Sequence, residues 1–123
     1  MARDGRPWLV GGTPGGDQQT QWSTQVLTGV IDHGQNLQDA VEAPRWYSSP
    51  GTDPHGLDQP MTIRAESRIS GAALSDLVTR GHVVEALAPW AGGGAFQILA
   101  VDESRGVLRG ASDPRAGGVA LGV

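Results

Sequence analysis

The stretch Gly11-Gly12-Thr13-Pro14-Gly15-Gly16-Asp17 carries the reading of the fold. Ahead of it stands Trp8-Leu9-Val10, a short apolar run that reads as a buried strand. Behind it, from Gln18, the pattern turns helical. Strand, glycine loop and helix in that order make an α/β unit. The same order turns backbone N–H groups toward an anion, because glycine permits close approach and a helix start adds partial positive charge. Three uses compete for such a loop: a nucleotide-phosphate site, an oxyanion hole, and a tight turn without chemistry. A phosphate loop ends in Lys-Ser/Thr, and a dinucleotide fingerprint needs Gly where Thr13 stands. On local pattern alone the plain turn is the commonest use.

The helix after the loop has Trp22, Val26 and Val30 at i+4 spacing, with Leu27 and Ile31 widening the face. Gly29 weakens it and Gly34 fits its end. Asn36, with Asp39 three residues on, caps a second short helix whose inner face is Leu37, Ala40 and Val41; Pro44 stops it. Ser48 to Pro60, rich in Pro and Gly, reads as a surface excursion. Met61 to Ile69 alternates with strand period, placing Ile63 and Ala65 on one face and Arg64 and Glu66 on the other. Ser70 caps a third helix, whose Ala73, Leu74, Leu77 and Val78 are expected to face inward. Val83 to Leu87 is a further strand. Phe96 to Val101 and Val107 to Ala111 form a hairpin. Arg3 to Pro7 is a turn signalled by Asp4-Gly5. The expected order is β-α-α-β-α-β-β-β, an α/β (α+β) chain with an antiparallel end, read as one domain or fragment over 1–123.

Composition excludes several functions. The chain has no Cys, so disulfides, thiolate zinc sites and cysteine nucleophiles are ruled out. Every basic residue is Arg, which removes a Schiff-base or P-loop lysine. A net charge of −4 without a basic run makes a poor nucleic-acid binder. No apolar run spans a bilayer and no leader is visible, which leaves the compartment open. His33, His55 and His82 lie too far apart for a local metal motif, and His82 reads as a surface residue. Asp113-Pro114-Arg115 is a turn signal first and an ion pair second. Asp39 and Glu42 read as solvated, and the four Trp as core or interface rings. No Ser or Thr stands in the context of an activated nucleophile.

Five ordered segments then resemble the γ-glutamyltransferase family. They are Gly11 to Asp17, Gln25 to Gly34, Ala40-Val41-Glu42-Ala43-Pro44-Arg45-Trp46, Arg80-Gly81-His82, and Gly110-Ala111-Ser112-Asp113-Pro114-Arg115. The resemblance covers nearly the whole chain and implies part of an N-terminal-nucleophile hydrolase αββα sandwich. In the family a self-cleaved Thr attacks a γ-glutamyl amide, and water or an amine resolves the acyl-enzyme. The glycines matching Gly15 and Gly16 supply oxyanion N–H groups. No cofactor and no metal is implied. The matched region is the C-terminal part of the small subunit.

The chain starts Met1-Ala2, so no terminal Thr, Ser or Cys nucleophile is expected within it. The residues that hold the glutamyl α-groups also have no counterpart here, and substrate-binding positions stay unassigned. Asp17 departs from the Ser or Arg of some relatives. The expected partners are the upstream small-subunit segment and the large subunit, or else further copies of the chain. Activity is expected only in the assembled enzyme on a small γ-glutamyl substrate. The other reading is a non-catalytic remnant that binds or self-associates.

Overall fold

The computed structural model describes residues 1–51 and 58–122. The surface excursion expected over 48–60, with His55, lies partly outside those residues.

Among the described residues, eight strands and three α-helices follow in the order β1 (Ala2–Arg3), β2 (Arg6–Pro7), β3 (Leu9–Gly12), α1 (Gln19–Ile31), α2 (Leu37–Glu42), β4 (Trp46–Ser49), β5 (Thr62–Glu66), α3 (Gly71–Thr79), β6 (Val83–Leu87), β7 (Gln97–Asp102) and β8 (Val107–Ser112). The mixed α/β class is as the sequence implies. Three strands are additions. The Asp4-Gly5 turn, with both residues at positive φ, closes the two-residue hairpin β1–β2. The Trp46-Tyr47 pair starts β4, which pairs antiparallel with β5.

The strands form two larger sheets. In the first, β3-β7-β8 are all antiparallel. Its inner face, with Leu9, Ile98, Ala100 and Ala111, packs against Val26 of α1 and against Leu37, Ala40 and Val41 of α2. Phe96 closes this core and is almost fully buried. Its other face is open: Val10, Leu99 and Leu108 remain 61%, 46% and 68% exposed. In the second sheet, β5 pairs antiparallel with β4 and parallel with β6, with α3 as the crossover.

Helix α1 buries Trp22, Val26 and Gly29, whereas Ile31 is exposed. Gly29 is a contact rather than a weakness. A Cβ there would lie 2.5 Å from Gln35 Oε1 and 3.5 Å from Ala40 Cβ, so glycine lets α2 approach. Gly34, at φ +64, turns the chain toward α2. Asn36 caps α2 as expected, its side chain accepting from the Asp39 N–H at 2.9 Å.

Helix α3 departs from the expectation. Leu74 and Leu77 are half-buried, while Ala73 and Val78 are exposed. The small sheet beneath offers strands of four or five residues, too little surface to cover a full helical stripe. Local terms therefore matter more for α3 than for α1. Ser70 caps it by accepting from the Ala73 N–H at 3.2 Å. Ser70→Ala should lower stability by about 1 kcal/mol. Amide exchange should rise over α3 and stay unchanged in β7–β8.

Candidate active site

Strand β3 delivers the chain into the glycine loop at a close approach. A Cβ on Gly11 would sit 2.8 Å from the Gln97 carbonyl oxygen and 2.9 Å from the Phe96 ring. Thr13 is buried; its hydroxyl donates to the Pro14 carbonyl at 2.8 Å and accepts from the Ala95 N–H at 2.8 Å. The Gln19 side-chain amide donates to the Thr13 carbonyl. Gly15 then takes φ +151 and Gly16 φ +54, conformations that favour glycine. Gly16–Gln18 form a single 3-10 turn that runs into α1. Gly15 is half-buried and Gly16 exposed. Among the described residues, neither the Gly15 nor the Gly16 N–H has a backbone acceptor outside the helices and strands. Such unclaimed donors at a helix start are the physical requirement for receiving an anionic oxygen.

Trp22, one turn into α1, backs this loop. Only 6% of it is exposed. Its ring lies where a Cβ on Gly15 would be, at 2.1 Å from Cζ3. The same ring faces a second glycine loop, where Cβ atoms on Gly93 and Gly94 would fall 2.6 Å and 2.8 Å from it. Tyr47 packs edge-on against it, ring centroids 5.8 Å apart.

The second loop, Gly92-Gly93-Gly94, is held from behind by a cluster of three guanidiniums and two carboxylates. Glu66, fully buried, accepts from Arg115 Nε at 2.8 Å and from the Gly92 N–H at 2.9 Å, and pairs with Arg68. Asp113, also fully buried, pairs with Arg45 Nη2 at 2.6 Å and Arg115 Nη1 at 3.0 Å. It also accepts from the Phe96 N–H at 3.1 Å. Arg45 donates to the Gly93 carbonyl at 3.0 Å. Arg115 further donates to the carbonyls of Val41 at 3.0 Å and Ala43 at 2.9 Å. The Arg68 guanidinium stacks 3.5 Å from the Trp90 ring centroid.

These contacts set the protonation of the cluster. Burial by itself raises the Glu66 carboxyl, but hydrogen bonds from Arg115 and the Gly92 amide outweigh it and hold Glu66 below the ordinary carboxylate value. Burial lowers the Arg45 guanidinium against the opposing pull of Asp113, and a guanidinium so far from neutral pH stays charged.

Glu66 and Ala65, placed on opposite faces by their alternation, are both fully buried. Asp113-Pro114-Arg115 is both a turn and a buried ion pair. Asp39, His33 and His82 are exposed, as is Asp17. Trp22 is core, Trp8 is half-buried, and Trp46 and Trp90 keep about two-fifths of their surface exposed. Among the described residues no three His, Asp or Glu side chains gather as a metal site, and no helix is long and apolar enough to cross a membrane.

A sequence profile described as gamma-glutamyltranspeptidase matches residues 1–123. The chain belongs to the gamma-glutamyltranspeptidase family. It is 34% identical over 128 residues to the glutathione hydrolase-like YwrD proenzyme of Bacillus subtilis, covering 100% of this chain and 23% of that protein. It is 34% identical over 119 residues to the oxamate amidohydrolase proenzyme of Klebsiella pneumoniae, covering 97% of this chain and 22% of that protein. The solved gamma-glutamyltranspeptidase from Pseudomonas nitroreducens superposes with a TM-score of 0.80 at 32% identity. That match covers 100% of this chain and 59% of the other. The chain thus spans under a quarter of the curated relatives' length. Its mixed sheets and helices are part of the N-terminal-nucleophile hydrolase fold of the gamma-glutamyltranspeptidases.

Proposed function

We propose that residues 1–123 supply the oxyanion loop of a γ-glutamyl amide hydrolase or transferase acting on glutathione-type substrates. The observation that carries this reading is the Gly15-Gly16 turn, with its N–H groups unclaimed by neighbouring backbone at the start of a helix. In this reading the nucleophile is the terminal Thr of a preceding family segment. Its α-amine takes the hydroxyl proton as the oxygen adds to the γ-carbonyl carbon. The carbonyl oxygen becomes an oxyanion, and the Gly15 and Gly16 N–H groups stabilise it without reorganising. Collapse breaks the C–N bond, and the proton passes to the leaving amine. Water, or an acceptor amine in transfer, then attacks the acyl-enzyme through a second oxyanion at the same donors. A relative named for oxamate is an amidohydrolase too, in keeping with amide chemistry for this loop.

The test is release of p-nitroaniline from γ-glutamyl-p-nitroanilide. Residues 1–123 alone should give none, and the chain joined to a nucleophile-bearing family segment should turn over. Turnover by residues 1–123 alone would overturn the division of roles. A non-catalytic binding or self-associating module is the second reading, favoured by the open apolar face at Val10, Leu99 and Leu108. Stable homo-oligomers with no turnover when joined to that segment would select it.

A further inference from the structure

We propose that Trp22 is a positioning residue for the Gly15-Gly16 amides. This inference rests on the oxyanion reading of that loop. Three observations converge. The indole occupies the space on one side of Gly15 so tightly that no Cβ fits. Its contacts in the second loop are backbone too: Gly93 and Gly94 both lack the Cβ that would collide with the same ring. Its Nε1 is buried without a hydrogen-bond partner among the described residues, so no polar contact competes with packing in setting the ring's place.

The indole is therefore a spacer between two backbone loops. One loop is anchored: Gly92 by Glu66, Gly93 by Arg45, Ala95 by Thr13 and Phe96 by Asp113. The other carries the amides. A rigid plane packed against both loops transmits position from the ion-anchored loop to the Gly15-Gly16 amides, whose N–H groups have no backbone acceptor of their own among the described residues. Thr13 adds a second link, since it bonds Ala95 and sits two residues ahead of Gly15. Removing the ring leaves Gly15 and Gly16 free to shift while the ion cluster stays intact. A shift of about 1 Å at a catalytic donor lowers rate by on the order of 100-fold.

The experiment compares Trp22→Phe, Trp22→Ala and Val26→Ala, with residues 1–123 joined to a nucleophile-bearing segment. Val26→Ala makes a cavity on the same helix away from the loop and controls for lost stability. Trp22→Ala should lower kcat by roughly 10- to 100-fold, with KM changed by less than about threefold. Trp22→Phe should restore most of the rate, and Val26→Ala should keep it at comparable thermal stability. In the same preparations, the amide NMR resonances of Gly15 and Gly16 should shift and broaden in Trp22→Ala, with those of β7–β8 unchanged. Equal kcat losses in Trp22→Ala and Val26→Ala, or unchanged Gly15-Gly16 resonances, would overturn the proposal. If the parent enzyme shows no γ-glutamyl turnover, the oxyanion reading fails by itself, and the resonances still decide whether Trp22 positions the loop.

Discussion

Glu66→Gln is expected to destabilise the fold by about 3–5 kcal/mol, because it removes one charge from a buried ion cluster and leaves its partners uncompensated. The substitution keeps shape and volume, so packing is not the cause. The Arg115 side chain is only 3% exposed and Arg68 only 23%, so neither guanidinium can exchange its lost carboxylate for full hydration. Urea unfolding of the two proteins at neutral pH measures the difference. The comparison that isolates burial is Glu85→Gln. The Arg64–Glu85 pair has a similar reach, 2.9 Å against 2.8 Å for Arg115–Glu66, but is 41% and 50% exposed, and its loss should stay below about 1 kcal/mol. Equal losses at the two sites would show that the cluster adds nothing beyond a surface pair.

The effect has a defined pH window. The folded Glu66 carboxyl lies below its ordinary value of 4.5, so its contribution is fully present above that value. The contribution declines as pH falls through the depressed folded value. The gap between the parent and Glu66→Gln should therefore narrow in acid below about pH 4.5 and stay constant from there through neutral pH.

Gly15→Ala is expected to abolish most turnover, with a loss on the order of 100- to 1,000-fold in kcat, the range for removing one oxyanion donor. Two effects combine at this position. The φ of +151 is strained for any residue with a Cβ, and the added carbon would lie 2.1 Å from the Trp22 ring. Neither the backbone nor the indole can yield without moving the amide. Gly16→Ala is the informative contrast. Its φ of +54 is a left-handed conformation that alanine reaches at about 1–2 kcal/mol, and its Cβ would meet open space. Its loss should be at least about tenfold smaller. Steady-state kinetics on γ-glutamyl-p-nitroanilide checks both, and a Gly16→Ala loss as large as that of Gly15→Ala would contradict the steric account.

Much of this architecture is legible in the chain. The i+4 pattern of Trp22 and Val26, the Asn36 and Ser70 caps, and the Asp4-Gly5 and Asp102–Gly106 turns act within a few residues, and each appears where sequence places it. Strand β4 is obscured because Pro44 and Pro50 bracket it, and its order comes from pairing with β5. The ion cluster is invisible to periodicity for a different reason. Alternation marks Glu66 as facing away from Ala65, but cannot tell that the second face meets Arg68 and Arg115 rather than water. The same limit applies to Trp22. Its spacing identifies a buried ring, whereas its place between two glycine loops depends on a contact made far along the chain.

The buried cluster also bears on how the fold is kept once formed. Several of its bonds join positions 48 to 74 residues apart, among them Arg45 to Gly93, Arg115 to Glu66 and Arg115 to Val41. Contacts of such separation require several loops to close before any one of them is rewarded. A network that needs four distant segments at once is expected to complete after the main folding barrier, so Glu66→Gln should speed unfolding while leaving the refolding rate nearly unchanged. Interactions absent from that barrier slow unfolding more than they speed folding. The five charged side chains behind the glycine loops thus act as a latch: they set how long the loop geometry survives, more than how quickly it is reached.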